Sequence, residues 1–266
     1  MKVLVTGGGG FLGTGVVAGL AAAGHEVTSG DLRVPGPDTA GAAPGVRHVA
    51  LDVTDAAAVS RAVAGQDVVV HLASVVDPDG MGREAAYRVD VDGSRHVLDA
   101  CVEHGVRRLV VSSSGAAYGY HPDNPVPITE QQPVRGTTAF AYSHHKALVE
   151  QLLADARRDH PQLEQVVLRI GTILGDRVDN QITALFHRPR LLAVRGSDSP
   201  FVFIWDSDLV AIMVRAVTGG PAGVYNVAGT GTLTIDQSAE RRGKRTLAGP
   251  EWLLKAVLAV GSALRM

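Results

Sequence analysis

Tyr142 and Lys146 stand four residues apart in the stretch "AYSHHK". On a helix that spacing puts both side chains on one face. A phenol titrates near 10 and is a poor base at neutral pH, but an ammonium beside it favours the phenolate. Such a pair could exchange a proton with an alcohol or a ketone. Tyr and Lys at this spacing also occur on ordinary helix surfaces, so a third group is needed. The stretch "VVSSSGAAYG" offers hydroxyls at Ser112, Ser113 and Ser114, at the end of an apolar run. Ser114 is best placed to hydrogen-bond a reacting oxygen and stabilise its developing charge. Ser112 and Ser113 read more simply as groups that satisfy nearby backbone.

A proton exchanged this way needs a hydride partner, and the opening "MKVLVTGGGGFLGTGVV" has the pattern to bind one. Gly7, Gly10 and Gly13 follow a short apolar run at the spacing G-x-x-G-x-x-G, with Phe11 and Leu12 opening the next segment. A tight turn at Gly7 and Gly10 would aim helix N–H groups at a pyrophosphate, and Gly13 would let the helix pack closely on the sheet. A merely structural strand-to-helix turn is the alternative. Asp31 in "HEVTSGDLR" stands where a second strand ends, about twenty positions on. Its carboxylate could take both ribose hydroxyls and repel a 2′-phosphate, which favours NAD over NADP; Arg33 keeps NADP open.

Asp52 and Val53 in "LDVTD" could read the adenine edge through a side chain and a backbone N–H. Alternatively, Asp52 or Thr54 caps the following helix. In "HLAS", Leu72, Ala73 and Ser74 bring small residues and open backbone toward the pyrophosphate and ribose, and His71 reads as a core residue with its polar atoms satisfied. Tyr142 and Lys146 would then also touch the cofactor, Lys146 at the nicotinamide ribose.

These groups need a scaffold. Apolar, β-branched runs predict strands at Lys2–Thr6, Glu26–Gly30, Val46–Leu51, Val68–Leu72, Arg108–Ser112 and Gln165–Ile170. They are apolar throughout rather than alternating, as in a parallel sheet covered on both faces. Helical spacing fills Gly13–Ala23, Asp55–Ala64, Arg83–His104 and Phe140–His160. Alternating strands and helices predict a doubly wound α/β sheet. The stretches Val34–Gly45 and Tyr118–Thr138 read as loops, the latter because of its four prolines. After Ile170 the rhythm breaks. The expected division is a dinucleotide-binding domain over 1–170 and a small, interleaved substrate-binding lobe over 171–266.

The 266 residues carry a net charge of −2 and a pI near 6.5, which suggests no nucleic-acid partner. One cysteine, Cys101, excludes an internal disulfide and fits a reducing compartment. Neither a signal-peptide pattern nor a run of about 18 apolar residues is present, so a cytoplasmic protein without a membrane span is expected. His144 and His145 are adjacent and cannot face one metal together; they read as the exposed flank of the Tyr–Lys helix, and no metal is expected.

Taken in order, "TGGGGFLG", "HLAS", "VSSSGAAYG" and "AYSHHK" resemble the extended short-chain dehydrogenase/reductase family, also called the NAD-dependent epimerase/dehydratase family. "LRIGTILG", "FIWDSDLVAIMVRAV" and "GVYNVAG" agree, and the likeness runs from Met1 to about Gly229. The resemblance implies a Rossmann-type fold, bound NAD(H) or NADP(H), a catalytic Ser114–Tyr142–Lys146 group, and a homodimer built on Arg83–His104 and Phe140–His160. Members often carry Asn where this chain has Asp90, an Asn that supports the catalytic lysine. The segment after Gly229 is short for the family.

Gly115 and Ala116 follow Ser114 where dehydratases place an Asp–Glu pair, which argues against water elimination. The expected activity is hydride transfer at a secondary alcohol or ketone of a small molecule. A nucleotide-sugar epimerase is the alternative, with Arg177, Arg188, Arg190 and Arg195 as candidate diphosphate contacts; "ITALF" and "LLAV" favour a less polar substrate. A nucleotide-sensing regulator is the non-enzyme alternative. The final stretch "PEWLLKAVLAVGSALRM" predicts a helix that packs on the lobe and closes its pocket.

Overall fold

The computed structural model describes residues 1–34, 45–76, 81–175, 178 and 186–250. Arg177, most of "ITALF", the Val34–Gly45 loop beyond its ends and the stretch from Glu251 onward lie outside the described residues.

The chain divides into two compact units, Met1–Ile170 with Asp206–Val227, and Gly171–Trp205 with Ala228–Met266. The expected second region from 171 onward is therefore interrupted, because Asp206–Val227 returns to the first unit as a helix and a strand.

The first unit is built on a seven-stranded sheet. Its strands are β1 (Lys2–Thr6), β2 (Glu26–Asp31), β3 (Arg47–Ala50), β4 (Val68–His71), β5 (Arg108–Ser114), β6 (Glu164–Ile170) and β10 (Gly223–Val227). They lie in the order β10-β6-β5-β4-β1-β2-β3, and every neighbouring pair is parallel. Valines at alternate positions face opposite sides, and both sides are buried: Val3, Val5, Val68, Val70 and Val110 on one, Leu4, Val69, Leu109 and Val111 on the other. That is why these strands read as continuous apolar runs.

Helices α2 (Ala56–Val63), α4 (Gly93–Glu103) and α5 (Ala141–Asp159) cover the Leu4–Val69–Leu109 face through Val59, Val97, Leu98, Val149 and Leu153. Helices α1 (Phe11–Ala22) and α6 (Asp206–Thr218) pack against each other. Their approach is close because Gly15 and Gly19 present no side chain to Val210 and Val214; added Cβ atoms would stand 2.9 and 3.0 Å from them.

The predicted helix over Arg83–His104 is not one regular α-helix. A π turn, Arg88–Asp92, joins α3 (Arg83–Tyr87) to α4. This wider ring places one more residue in a turn than the 3.6-residue pattern allows.

In the second unit, β7 (Thr172–Leu174) pairs in parallel with β9 (Phe203–Trp205), and β8 (Arg190–Val194) with β11 (Arg245–Gly249). Helix α7 (Ile235–Arg241) begins with a capping box between Thr234 and Gln237, a motif that satisfies two otherwise unpaired N–H groups. Phe186, Leu191 and Ala239 form its core with Phe203 and Ile235. Arg188, Arg190 and Arg195 are exposed.

Candidate active site

In the first unit the direction of strand progression reverses between β1 and β4, where open α/β sheets bind ligands beyond their carboxyl ends. Two loops meet at this point. Gly7 has φ +70°, and a Cβ there would lie 2.7 Å from Ala73 N in the loop after β4. Only glycine fits that position. A Cβ on Gly13 would lie 2.1 Å from Gly7 O and 2.8 Å from Gly8 Cα, so Gly13 seats α1 on the loop rather than on the sheet. Gly10 is the N-cap of α1 and offers no side-chain cap. The first N–H groups of a 12-residue helix, begun by Phe11 and Leu12, therefore lack a side-chain acceptor and can meet an anion.

Asp31 closes β2 beside this loop. Its Oδ2 accepts the Gly9 N–H at 3.0 Å and its Oδ1 the Arg33 N–H at 3.4 Å. The carboxylate is oriented by backbone and keeps lone pairs for further donors. Arg33 is exposed.

Asp52 and Val53 divide. Asp52 Oδ1 accepts both the N–H and the hydroxyl of Thr54, at 2.8 and 2.7 Å. The cap of α2 is instead Asp55, which accepts from Ala58 N at 3.0 Å; neither Asp52 nor Thr54 performs it. The Val53 side chain is buried against Gly93, and its carbonyl accepts from His96 Nδ1 at 2.9 Å.

His71 is buried with both ring nitrogens engaged. Ser94 Oγ donates to Asp90 O, so it accepts from His71 Nε2 at 3.0 Å, and Thr6 Oγ1 therefore donates to Nδ1 at 2.7 Å. Burial, then the charge of Lys146, lowers its pKa to about 3. Leu72 N–H completes the turn by donating to Thr6 O at 3.0 Å.

Helix α5 faces the end of β5. Lys146 is buried and donates from Nζ to Ser112 O at 2.9 Å, and the same Nζ lies 5.5 Å from the centre of the Tyr142 ring. Ser114 Oγ accepts the Ala116 N–H at 3.1 Å and interacts with the Tyr142 hydroxyl. The sequence predicts that Lys146 favours the phenolate. In the structure burial outweighs it: the Tyr142 phenol is pushed up to about 12, Ser114 drawing it down and Asp90 raising it further. Burial likewise holds the Lys146 ammonium below its ordinary value, offset by the charges of Asp90 and Glu150.

Two further expectations change. Ser112 does satisfy backbone, through His71 O at 3.3 Å, but Ser113 donates to the buried carboxylate of Glu150 at 2.5 Å. His145 is no exposed flank: it is buried, 2.9 Å from Asp90 Oδ2.

Several polar groups around the site went unread in the sequence. Glu150 pairs with Arg169 through Nε and Nη2, at 2.7 to 3.0 Å, and both side chains are buried. Arg169 Nη1 donates to Tyr118 OH at 2.8 Å, and Tyr118 OH donates to Asn226 Oδ1 at 2.7 Å. The signal for Glu150 was available, since it lies four residues beyond Lys146 on the same helix face. Arg169 and Asn226 come from remote strands and carry no such mark.

Comparison with known proteins places this geometry. A 3-beta-hydroxysteroid dehydrogenase of Mycolicibacterium neoaurum is 38% identical over 224 residues, covering 82% of this chain and 54% of that protein. An uncharacterized protein of Mycobacterium tuberculosis is 32% identical over 248 residues, 92% of this chain but 23% of its own length. This chain thus spans about half or less of these two curated relatives. The crystal structure of Thermus thermophilus UDP-glucose 4-epimerase in complex with NAD superposes with a TM-score of 0.74 at 27% identity, covering 94% of this chain and 86% of that one. The model of the NAD dependent epimerase/dehydratase family matches residues 3–228, and the chain belongs to that family.

Proposed function

We propose that this protein is an NAD(H)-dependent oxidoreductase that interconverts a secondary alcohol and a ketone on a small molecule. The observation that carries this is the meeting of Tyr142 and Lys146 with Ser112 and Ser114, in the same unit as the Gly7–Gly13 cradle. The space a Cβ would fill at Gly7 and Gly13 fits close approach of a pyrophosphate, and Asp31 fits an adenosine ribose. NAD(H), when bound, supplies or accepts the hydride. Ser114 orients the reacting oxygen, Tyr142 moves the proton at that oxygen, and Lys146 holds the nicotinamide ribose and the local charge. Asp52 and the Val53 backbone receive the adenine edge, while Leu72, Ala73 and Ser74 line the far side of the pyrophosphate.

The likeness to a hydroxysteroid dehydrogenase supports a substrate of low polarity. A nucleotide-sugar epimerase is the second reading, favoured by the likeness to UDP-glucose 4-epimerase. Mass spectrometry of nucleotide released from the purified protein separates the two. Tightly retained NAD supports epimerisation, and an empty site refilled by NADH supports dehydrogenation. Loss of hydride transfer in Tyr142→Phe tests the catalytic group; unchanged turnover refutes it and favours a nucleotide-sensing role. A homodimer through α4 and α5 in the cytoplasm completes the proposal, and light scattering tests the dimer.

A further inference from the structure

Asp90 and His145 form a buried pair that the proposed reaction does not use. Asp90 lies in the π turn and is 3% exposed, His145 4%. Asp90 Oδ1 accepts the Ser74 hydroxyl at 2.9 Å and the Val75 N–H at 2.7 Å. Its Oδ2 accepts the His145 Nδ1–H at 2.9 Å. The His145 ring stands edge-on to Tyr87, with centroids 5.5 Å apart. Both carboxylate oxygens are therefore committed as acceptors, by the loop after β4 and by α5, one residue before Lys146. A charge buried in this way is screened little by solvent. It bears on both members of the α5 pair, raising the proton affinity of Tyr142 and of Lys146.

The other groups facing this region are Lys146 and Glu150 on α5, His71 on β4 and Tyr120 in the loop after β5. His71 is neutral at ordinary pH and adds no opposing charge. Glu150 is matched by Arg169. Lys146 is the cation that remains to oppose Asp90.

We propose that Asp90, clamped by Ser74, Val75 and His145, is a positioning residue whose fixed negative charge keeps the Tyr142 hydroxyl proton-bearing and sets the site up for carbonyl reduction. This rests on the Ser114–Tyr142–Lys146 reading. In reduction the carbonyl carbon accepts the hydride that NADH supplies, and its π electrons pass to the oxygen. That oxygen takes the Tyr142 proton, and the phenolate is reprotonated from water. Alcohol oxidation needs the phenolate at the outset and is confined to alkaline pH.

The test is tyrosinate absorbance near 295 nm in the cofactor-free protein, titrated against pH. Subtracting Tyr142→Phe from the native protein isolates Tyr142 among the five tyrosines. The same subtraction is then made in an Asp90→Asn background. Asn can keep its oxygen on Ser74 and Val75 and donate its amide to His145 Nδ1 after a tautomer change, so the substitution chiefly removes charge. The Tyr142 midpoint should fall by about one pH unit or more, a tenfold gain in phenolate at a given pH. His145→Asn leaves the charge in place and should not move it. An unmoved midpoint in Asp90→Asn, or an equal fall in His145→Asn, overturns the proposal. If Asp90→Asn does not fold, the native titration decides: a Tyr142 midpoint at or below 10 overturns it, and one well above supports it. Retained turnover in Tyr142→Phe sinks the catalytic reading on its own, without altering these titrations.

Discussion

Lys146 Nζ donates to the carbonyl oxygen of Ser112 at 2.9 Å, tying the middle of α5 to the end of β5. That bond fixes the ammonium beneath Tyr142 without a carboxylate in contact, so its charge stays available to the phenol and to a ribose. Lys146→Met should keep the volume and remove the charge. Turnover should fall by about 10²–10⁴, the range for disabling an acid–base group. Stability should change by only about 1 kcal/mol, because the lost hydrogen bond is offset by the relieved desolvation of the ammonium. Steady-state kinetics and urea unfolding on one preparation check both halves. Turnover within threefold of the native protein would remove Lys146 from the chemistry.

Asp31 governs cofactor choice. Its carboxylate is held toward the glycine loop by Gly9 N–H, while Arg33 is exposed and offers no fixed partner to a 2′-phosphate. NADH should bind at least about tenfold more tightly than NADPH, a difference of about 1.4 kcal/mol. Asp31→Asn keeps an acceptor for Gly9 and should narrow the ratio by a similar factor. Fluorescence titration of both reduced nucleotides measures this, and equal affinities in the native protein would refute it.

The scaffold was legible because burial leaves a direct trace in composition. Strands covered on both faces cannot carry polar residues, so "VLVT", "DVVVHLA" and "RRLVVSSS" announced a parallel sheet. Gly7 and Gly13 were legible for a similar reason, since backbone sits where their Cβ atoms would be. The π turn was hidden, because one extra residue in a ring alters no propensity. His145 was misread as surface because a polar residue on a helix looks solvated until its partner is known, and Asp90 lies 55 residues away. Arg169 and Asn226 were silent for the same reason: a charge or an amide in a buried strand is explained only by its distant partner.

His71 makes stability depend on pH. Its folded-state pKa of about 3 lies below its ordinary 6.5, so the unfolded chain binds a proton that the folded chain refuses. The contribution is complete above 6.5 and is lost as pH falls from 6.5 toward 3. The loss approaches about 1.4 kcal/mol per pH unit. In His71→Gln that component should vanish. Unfolding free energies at pH 7.5 and 5 should therefore differ less in the variant than in the native protein. An identical pH dependence would show that His71 takes up its proton in the folded state.

Glu150 and Arg169 test whether the polar layer behind α5 is structural. The carboxylate receives Arg169 through two nitrogens and the Ser113 hydroxyl, with both charged side chains under 10% exposed. Breaking such a pair leaves a buried guanidinium unmatched, at a cost of about 3–5 kcal/mol. Arg169 would retain Tyr118 OH and Glu130 O as acceptors, which places Glu150→Ala toward the lower end. The double variant Glu150→Ala, Arg169→Met removes both charges and should recover a large part of the loss, because no ion is then left without its counterpart. Urea unfolding of the two single variants and the double gives the coupling. Additive losses would mean that the two side chains act independently, and that the layer does not anchor the helix bearing Tyr142 and Lys146.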